Sequence, residues 1–145
     1  MRLSQNFTLE EMTASATAAR LGIDNTPSET VKNNLKRLAT EIMQRIRDQW
    51  GGPIIVSSGY RSKALNAAVG GSKTSQHVLG QACDFHAANR ANNWLLYNLI
   101  KNMVRKGEIT CGQILWEYGT DKNPQWIHVS LPGSHTNQFL KLGVK

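Results

Sequence analysis

An α+β domain, with helices packed on one side of a small, largely antiparallel sheet, is the fold class this sequence predicts. Three observations predict it. Helical periodicity dominates residues 1–52, short apolar runs of strand length cluster afterwards, and one helical stretch separates those runs. The length of 145 residues suits a single domain with one core, divided here into a helical N-terminal part (1–52), a central part (53–131) and a C-terminal tail (132–145).

Thr8 followed by Glu11 is a capping-box signature, and Gly22 is a stop for the short helical region behind it. A second start follows, with Thr26 expected as N-cap, Pro27 in the first helical position and Glu29 at N3. Val31, Leu35, Leu38, Ile42 and Ile46 then recur at helical spacing, with charged residues between them, up to Gly51-Gly52. That stripe is core packing. Pro53–Ser58 reads as a buried strand, Ser62–Val69 as a short helix ending at Gly70-Gly71, and Ala82–His86 as the next strand. Trp94, Leu95, Leu99, Met103 and Val104 mark a further helix, stopped near Gly107. Gln113–Tyr118 and Trp126–Ser130 are the last two expected strands, joined by a turn-rich segment.

Seventeen Lys+Arg against ten Asp+Glu give a net charge of +7, which favours anionic partners such as nucleic acid, a membrane surface or an acidic wall polymer. The basic residues are scattered, however, and no helix-turn-helix, zinc-finger spacing or aromatic-basic interleaving supports nucleic-acid binding. No apolar run approaches the roughly 20 residues of a membrane span. Met1–Asn6 has a positive charge with no hydrophobic stretch behind it, so no signal peptide is expected. Cys83 and Cys111 lie in apolar runs without C-x-x-C spacing and read as buried free thiols.

The chemistry-bearing residues are few. His77 lies in a polar loop, while Asp84 and His128 interrupt apolar strands. A carboxylate in a strand core is costly unless it is paired or metal-bound. Spacing alone leaves two readings open. His77 is a loop histidine and His128 a satisfied core histidine, or the two imidazoles and the carboxylate form the three-ligand set of a catalytic zinc.

Around these residues run Ser57-Ser58-Gly59-Tyr60-Arg61-Ser62, Leu65-Asn66, Gly70-Gly71-Ser72, Ser75-Gln76-His77, Gly80–Phe85 and Trp126–Ser130, in that order. Together, from about Pro53 to Leu131, they closely resemble the M15 family of zinc peptidases: D-alanyl-D-alanine carboxypeptidases, related dipeptidases and phage endolysins that cut peptidoglycan stem peptides. The resemblance implies the fold shared with hedgehog-type domains, one Zn²⁺ held by His77, Asp84 and His128, and a substrate-binding or carbonyl-stabilising role for Arg61. A guanidinium suits that role because its rigid donor fork fits a carboxylate or a developing oxyanion.

One position departs from the family. Many relatives carry the catalytic carboxylate three residues before the second zinc histidine, where this chain has Gln125. Glu117 is the expected replacement, because a hairpin would make it a cross-strand neighbour of His128 on one face; Asp121, in a turn-rich loop, is second. The implied chemistry is zinc-assisted hydrolysis with Glu117 as general base and Arg61 at the oxyanion, while Ser75, Gln76 and Gln113 position the peptide. His86 shares a strand face with Asp84 but reads as a non-ligand, and His135 as a tail-loop residue near the cleft.

The resulting expectation is a monomeric, phage-type peptidoglycan hydrolase, either D-Ala-D-Ala carboxypeptidase or L-Ala–D-Glu endopeptidase. It would be made in the cytoplasm and reach the wall through phage-mediated release or as a virion component. A non-catalytic zinc domain on the same scaffold is the alternative that Gln125 raises.

Overall fold

The computed structural model describes all 145 residues. Its sheet has five strands, β1 (Ile54–Ser58), β2 (Ala82–Ala87), β3 (Gln113–Glu117), β4 (Trp126–Ser130) and β5 (Gln138–Leu142), in the order β1-β2-β4-β3-β5. Every neighbouring pair is antiparallel except β3 and β5, which run parallel. The predicted α+β class and largely antiparallel sheet are therefore present, with one element added. The segment read as a tail contains β5, whose residues are partly or fully exposed and so lack the apolar run that marks the inner strands.

Strand alternation divides the sheet into two faces. Phe85 and Ala87 on β2, Ile127 and Val129 on β4, and Ile114 and Trp116 on β3 belong to the buried core. Two long helical segments cover that face. The first runs through α3 (Glu29–Leu38), one wide π-helical turn (Ala39–Met43) and α4 (Gln44–Trp50); the wide turn accommodates burial of both Ile42 and Met43. After two short helices, α1 (Leu9–Thr13) and α2 (Ala16–Leu21), and the later α5 (Lys63–Ala68), the second long segment is α6 (Asn93–Arg105), which buries Leu96, Tyr97, Ile100 and Met103. Trp94 and Leu95, read as part of its apolar stripe, instead face solvent.

The cap of α3 also differs from expectation. Ser28 is the N-cap, its Oγ accepting the Val31 N–H at 3.2 Å. Thr26 is engaged elsewhere, donating its hydroxyl and its backbone N–H to Asp24 Oδ1 at 2.6 and 2.9 Å. The capping box at Thr8–Glu11 and the left-handed Gly22 stop are present where the sequence placed them. Both cysteines are free and buried, and burial pushes the Cys111 thiol up to about 12. No helix is long and apolar enough to cross a membrane.

The opposite face of the sheet carries polar side chains: Asp84 and His86 on β2, His128 and Ser130 on β4, and Gln113 and Glu117 on β3. No long helix covers them. This uncovered face is the floor of the main cleft.

Candidate active site

Asp84 and His128 are direct cross-strand partners in the β2–β4 pair, so strand register alone brings them together. His128 Nδ1 lies 2.8 Å from Asp84 Oδ1. His77 arrives from outside the sheet, on a 3₁₀ turn (Gln76–Leu79) capped by the Ser75 hydroxyl and ended by Gly80 in the left-handed region. Its Nε2 lies 3.4 Å from the same Asp84 oxygen, and its ring packs edge-on to His128 with centroids 5.1 Å apart. The three potential ligand atoms all fall within 4.8 Å of one another.

The segment before α5 sets the orientation of His77. Its Nδ1 lies 2.7 Å from the Gly59 carbonyl, which it meets as a donor, leaving the Nε2 lone pair free toward Asp84. Arg61 N–H donates in turn to the His77 carbonyl at 3.1 Å. Position 59 requires glycine, since a Cβ there would lie 2.2 Å from the Met12 carbonyl oxygen. Asn25 completes the brace, donating to the Tyr60 carbonyl at 3.1 Å and accepting from Ser62 N–H at 2.7 Å. Asn25 has no motif around it. Its only sequence signal was its place between helices, among turn-forming residues.

Two neutral imidazole nitrogens and one carboxylate oxygen are a suitable donor set for zinc, and the fixed tautomer of His77 is the second-layer support such sites use. Zinc bonds of about 2.0–2.2 Å in tetrahedral geometry place ligand atoms about 3.3–3.6 Å apart. The 3.4 Å spacing of His77 and Asp84 lies in that range, and the 2.8 Å spacing of His128 and Asp84 is somewhat tighter. The residues fit the ion.

Glu117 stands beside this cluster. Its register partner is Trp126, and His128 is opposite Leu115, so Glu117 reaches His128 diagonally instead of directly. The two side chains share a face, with Glu117 Oε1 4.0 Å from His128 Nδ1. Burial raises the Glu117 carboxyl above its ordinary range and the Asp84 charge adds to this, against opposing pulls from His128, Arg61 and the Trp126 indole. Burial also opposes ionisation of Asp84, but the His128 and His77 rings beside it, His128 foremost, outweigh it and hold that carboxyl well below the usual range. Arg61 is half-buried. Desolvation lowers its pKa while Asp84 and Glu117 favour its charge, and its Nε–H is buried without a partner.

These groups line one cleft of about 850 Å³. Ser75, Gln76 and Gln113 line it too, but each is partly committed: Ser75 Oγ caps His77, Gln76 Nε2 donates to Gln81 and to the Leu131 carbonyl, and Gln113 Nε2 donates to Gln138. Gln125 is exposed and Asp121 lies in an exposed loop; neither lines the cleft. His86 turns its Nδ1 to the Ala87 carbonyl at 2.7 Å and stays outside the three-residue cluster. His135 borders the cleft, as do Tyr118 and Leu142, which the sequence did not single out. Leu142 reaches it only because β5 lies beside β3.

Comparison with curated proteins gives no match. The model of a family described as Peptidase M15 matches residues 5–130, a span that holds Asn25, Gly59, Arg61, the His–Asp–His cluster and Glu117 and stops just short of the segment containing β5. With so much of its length matched, the chain belongs to the Peptidase M15 family.

Proposed function

We propose that this peptidase is a zinc-dependent hydrolase of peptide bonds in the stem peptides of bacterial peptidoglycan. The observation that carries the reading is the convergence of His77, Asp84 and His128 within 4.8 Å on the floor of an open cleft, with Glu117 4.0 Å from His128. His77 Nε2, an Asp84 oxygen and His128 Nδ1 would hold the ion. Zinc, when bound, supplies Lewis acidity that polarises a carbonyl and makes water ionise near neutral pH.

Glu117 is the general base. It is the one carboxylate lining the cleft apart from Asp84, and its raised pKa suits a group that takes a proton from water and returns it to the leaving amine. Arg61, whose guanidinium senses both carboxylates, is placed to stabilise the oxyanion or to hold a substrate carboxylate. Ser75, Gln76 and Gln113 offer polar edges along which an extended peptide can lie. The +7 charge suits work on an anionic wall, and a phage-type lytic role accords with that setting.

The presence of Glu117 in the cleft favours catalysis over a purely structural zinc site. The test is digestion of defined muropeptides, with and without chelator, followed by mass analysis. Chelator-sensitive release of D-Ala marks a carboxypeptidase, and cleavage between L-Ala and D-Glu marks an endopeptidase. Intact muropeptides in the zinc-loaded sample would overturn the reading.

A further inference from the structure

Trp126 lies directly opposite Glu117 in the β3–β4 pair, and both line the cleft. Side chains of such a pair are immediate neighbours, with Cβ atoms about 4.5–5.5 Å apart. The indole Nε1–H of Trp126 is buried and has no hydrogen-bond partner. A buried indole N–H normally finds one, since leaving it unpaired is costly. No hydrogen bond of ordinary length fixes the Glu117 carboxylate either; the nearest ring nitrogen of the His–Asp–His cluster is His128 Nδ1, at 4.0 Å. An orphan donor and an unanchored acceptor thus face each other across one strand pair.

The indole itself is held firmly. Its ring packs against Tyr118, with centroids 4.8 Å apart and planes at 47°. Tyr118 has φ 58, a left-handed conformation uncommon for a residue with a bulky side chain. Two contacts from the C-terminal segment keep it there. Tyr118 N–H donates to the Leu142 carbonyl at 2.8 Å, and its ring lies so close over Gly143 that a Cβ there would come within 2.7 Å of it. The chain from β5 through Tyr118 therefore clamps Trp126 beside Glu117.

We propose that Trp126 is a positioning residue, whose indole N–H closes on the Glu117 carboxylate in the folded protein, with or without metal, and so aims it at the reacting water. The indole's favourable effect on the charged form of Glu117 agrees with this arrangement. The proposal rests on Glu117 being the general base. A base that swings freely loses rate even when its chemistry is right, because proton transfer needs hydrogen-bond reach.

Trp126→Phe keeps an aromatic ring against Tyr118 and removes only the donor. On a soluble muropeptide stem that the zinc-loaded protein cleaves, kcat should fall about ten- to a hundredfold, the scale of one hydrogen bond to a charged group. KM, zinc content and Tm should hold. An unchanged kcat overturns the proposal, and so does a rise in KM alone, which would make the indole a substrate contact. A second measurement covers a variant that fails to fold. In metal-free protein carrying Glu117→Ala, the Trp126 indole proton should move upfield and exchange faster while the other three indole protons stay; an unmoved signal overturns the proposal. Glu117→Gln separates the two readings. If that variant hydrolyses normally, Glu117 is not the base. If it is inactive while Trp126→Phe is fully active, only the positioning role fails.

Discussion

Glu117 and His128 occupy adjacent strands, β3 and β4, yet they are not register partners: His128 opposes Leu115, and Glu117 opposes Trp126. The diagonal still leaves their side chains on one face, 4.0 Å apart at the closest atoms. A carboxylate can therefore stand next to the His77–Asp84–His128 cluster without belonging to it.

That separation of roles makes Glu117 removable without disturbing the ligands. Glu117→Gln should retain one zinc per chain and the native Tm, while kcat falls about 10²–10⁴-fold, the usual contribution of a positioned acid–base group. Metal analysis and muropeptide kinetics on the same preparation check both halves.

Removing a ligand has a different signature. His128→Ala and Asp84→Asn should each lose zinc as well as hydrolysis, because each takes away one of the three donors at the cleft floor. Added zinc should raise the Tm of the unaltered protein and not that of these variants, since a ligand stabilises only the state that binds it. Thermal melts with and without zinc give the answer.

His86 shares the strand face of Asp84 but spends its Nδ1 on the Ala87 carbonyl. His86→Ala should keep both zinc stoichiometry and turnover within about twofold. A loss of metal in this variant would show that the ligand set is drawn wrongly.

Gly59 couples the fold to the site. Gly59→Ala forces a Cβ against the Met12 carbonyl, where it would stand at 2.2 Å, and displaces the acceptor of His77 Nδ1. The expected result is a loss of about 1–3 kcal/mol in stability and about 10–100-fold weaker zinc binding. Denaturant titration and a zinc-affinity measurement test the two effects separately.

Much of this arrangement was legible in the sequence, for identifiable reasons. Asp84 and His128 stood out because each interrupts an apolar strand, where a polar side chain needs a partner. Placing Glu117 near His128 followed from expecting a hairpin between β3 and β4, although periodicity could not fix the register, which proves to be the one that makes them diagonal neighbours on one face. The cap at Ser28 was missed because Thr26 is an equally good cap by chemistry; only the Asp24 contact removes it from contention. β5 was invisible because an exposed edge strand has no apolar pattern, and with it went Tyr118 and Leu142 as cleft residues. Asn25 acts through backbone contacts distant in sequence, which no local pattern records.

Crystals soaked with zinc and measured at its absorption edge decide whether His77, Asp84 and His128 hold the ion. One anomalous peak is predicted, about 2.0–2.2 Å from His77 Nε2, an Asp84 oxygen and His128 Nδ1. A cleft with no peak at that position, or a zinc held by other side chains, would contradict the account.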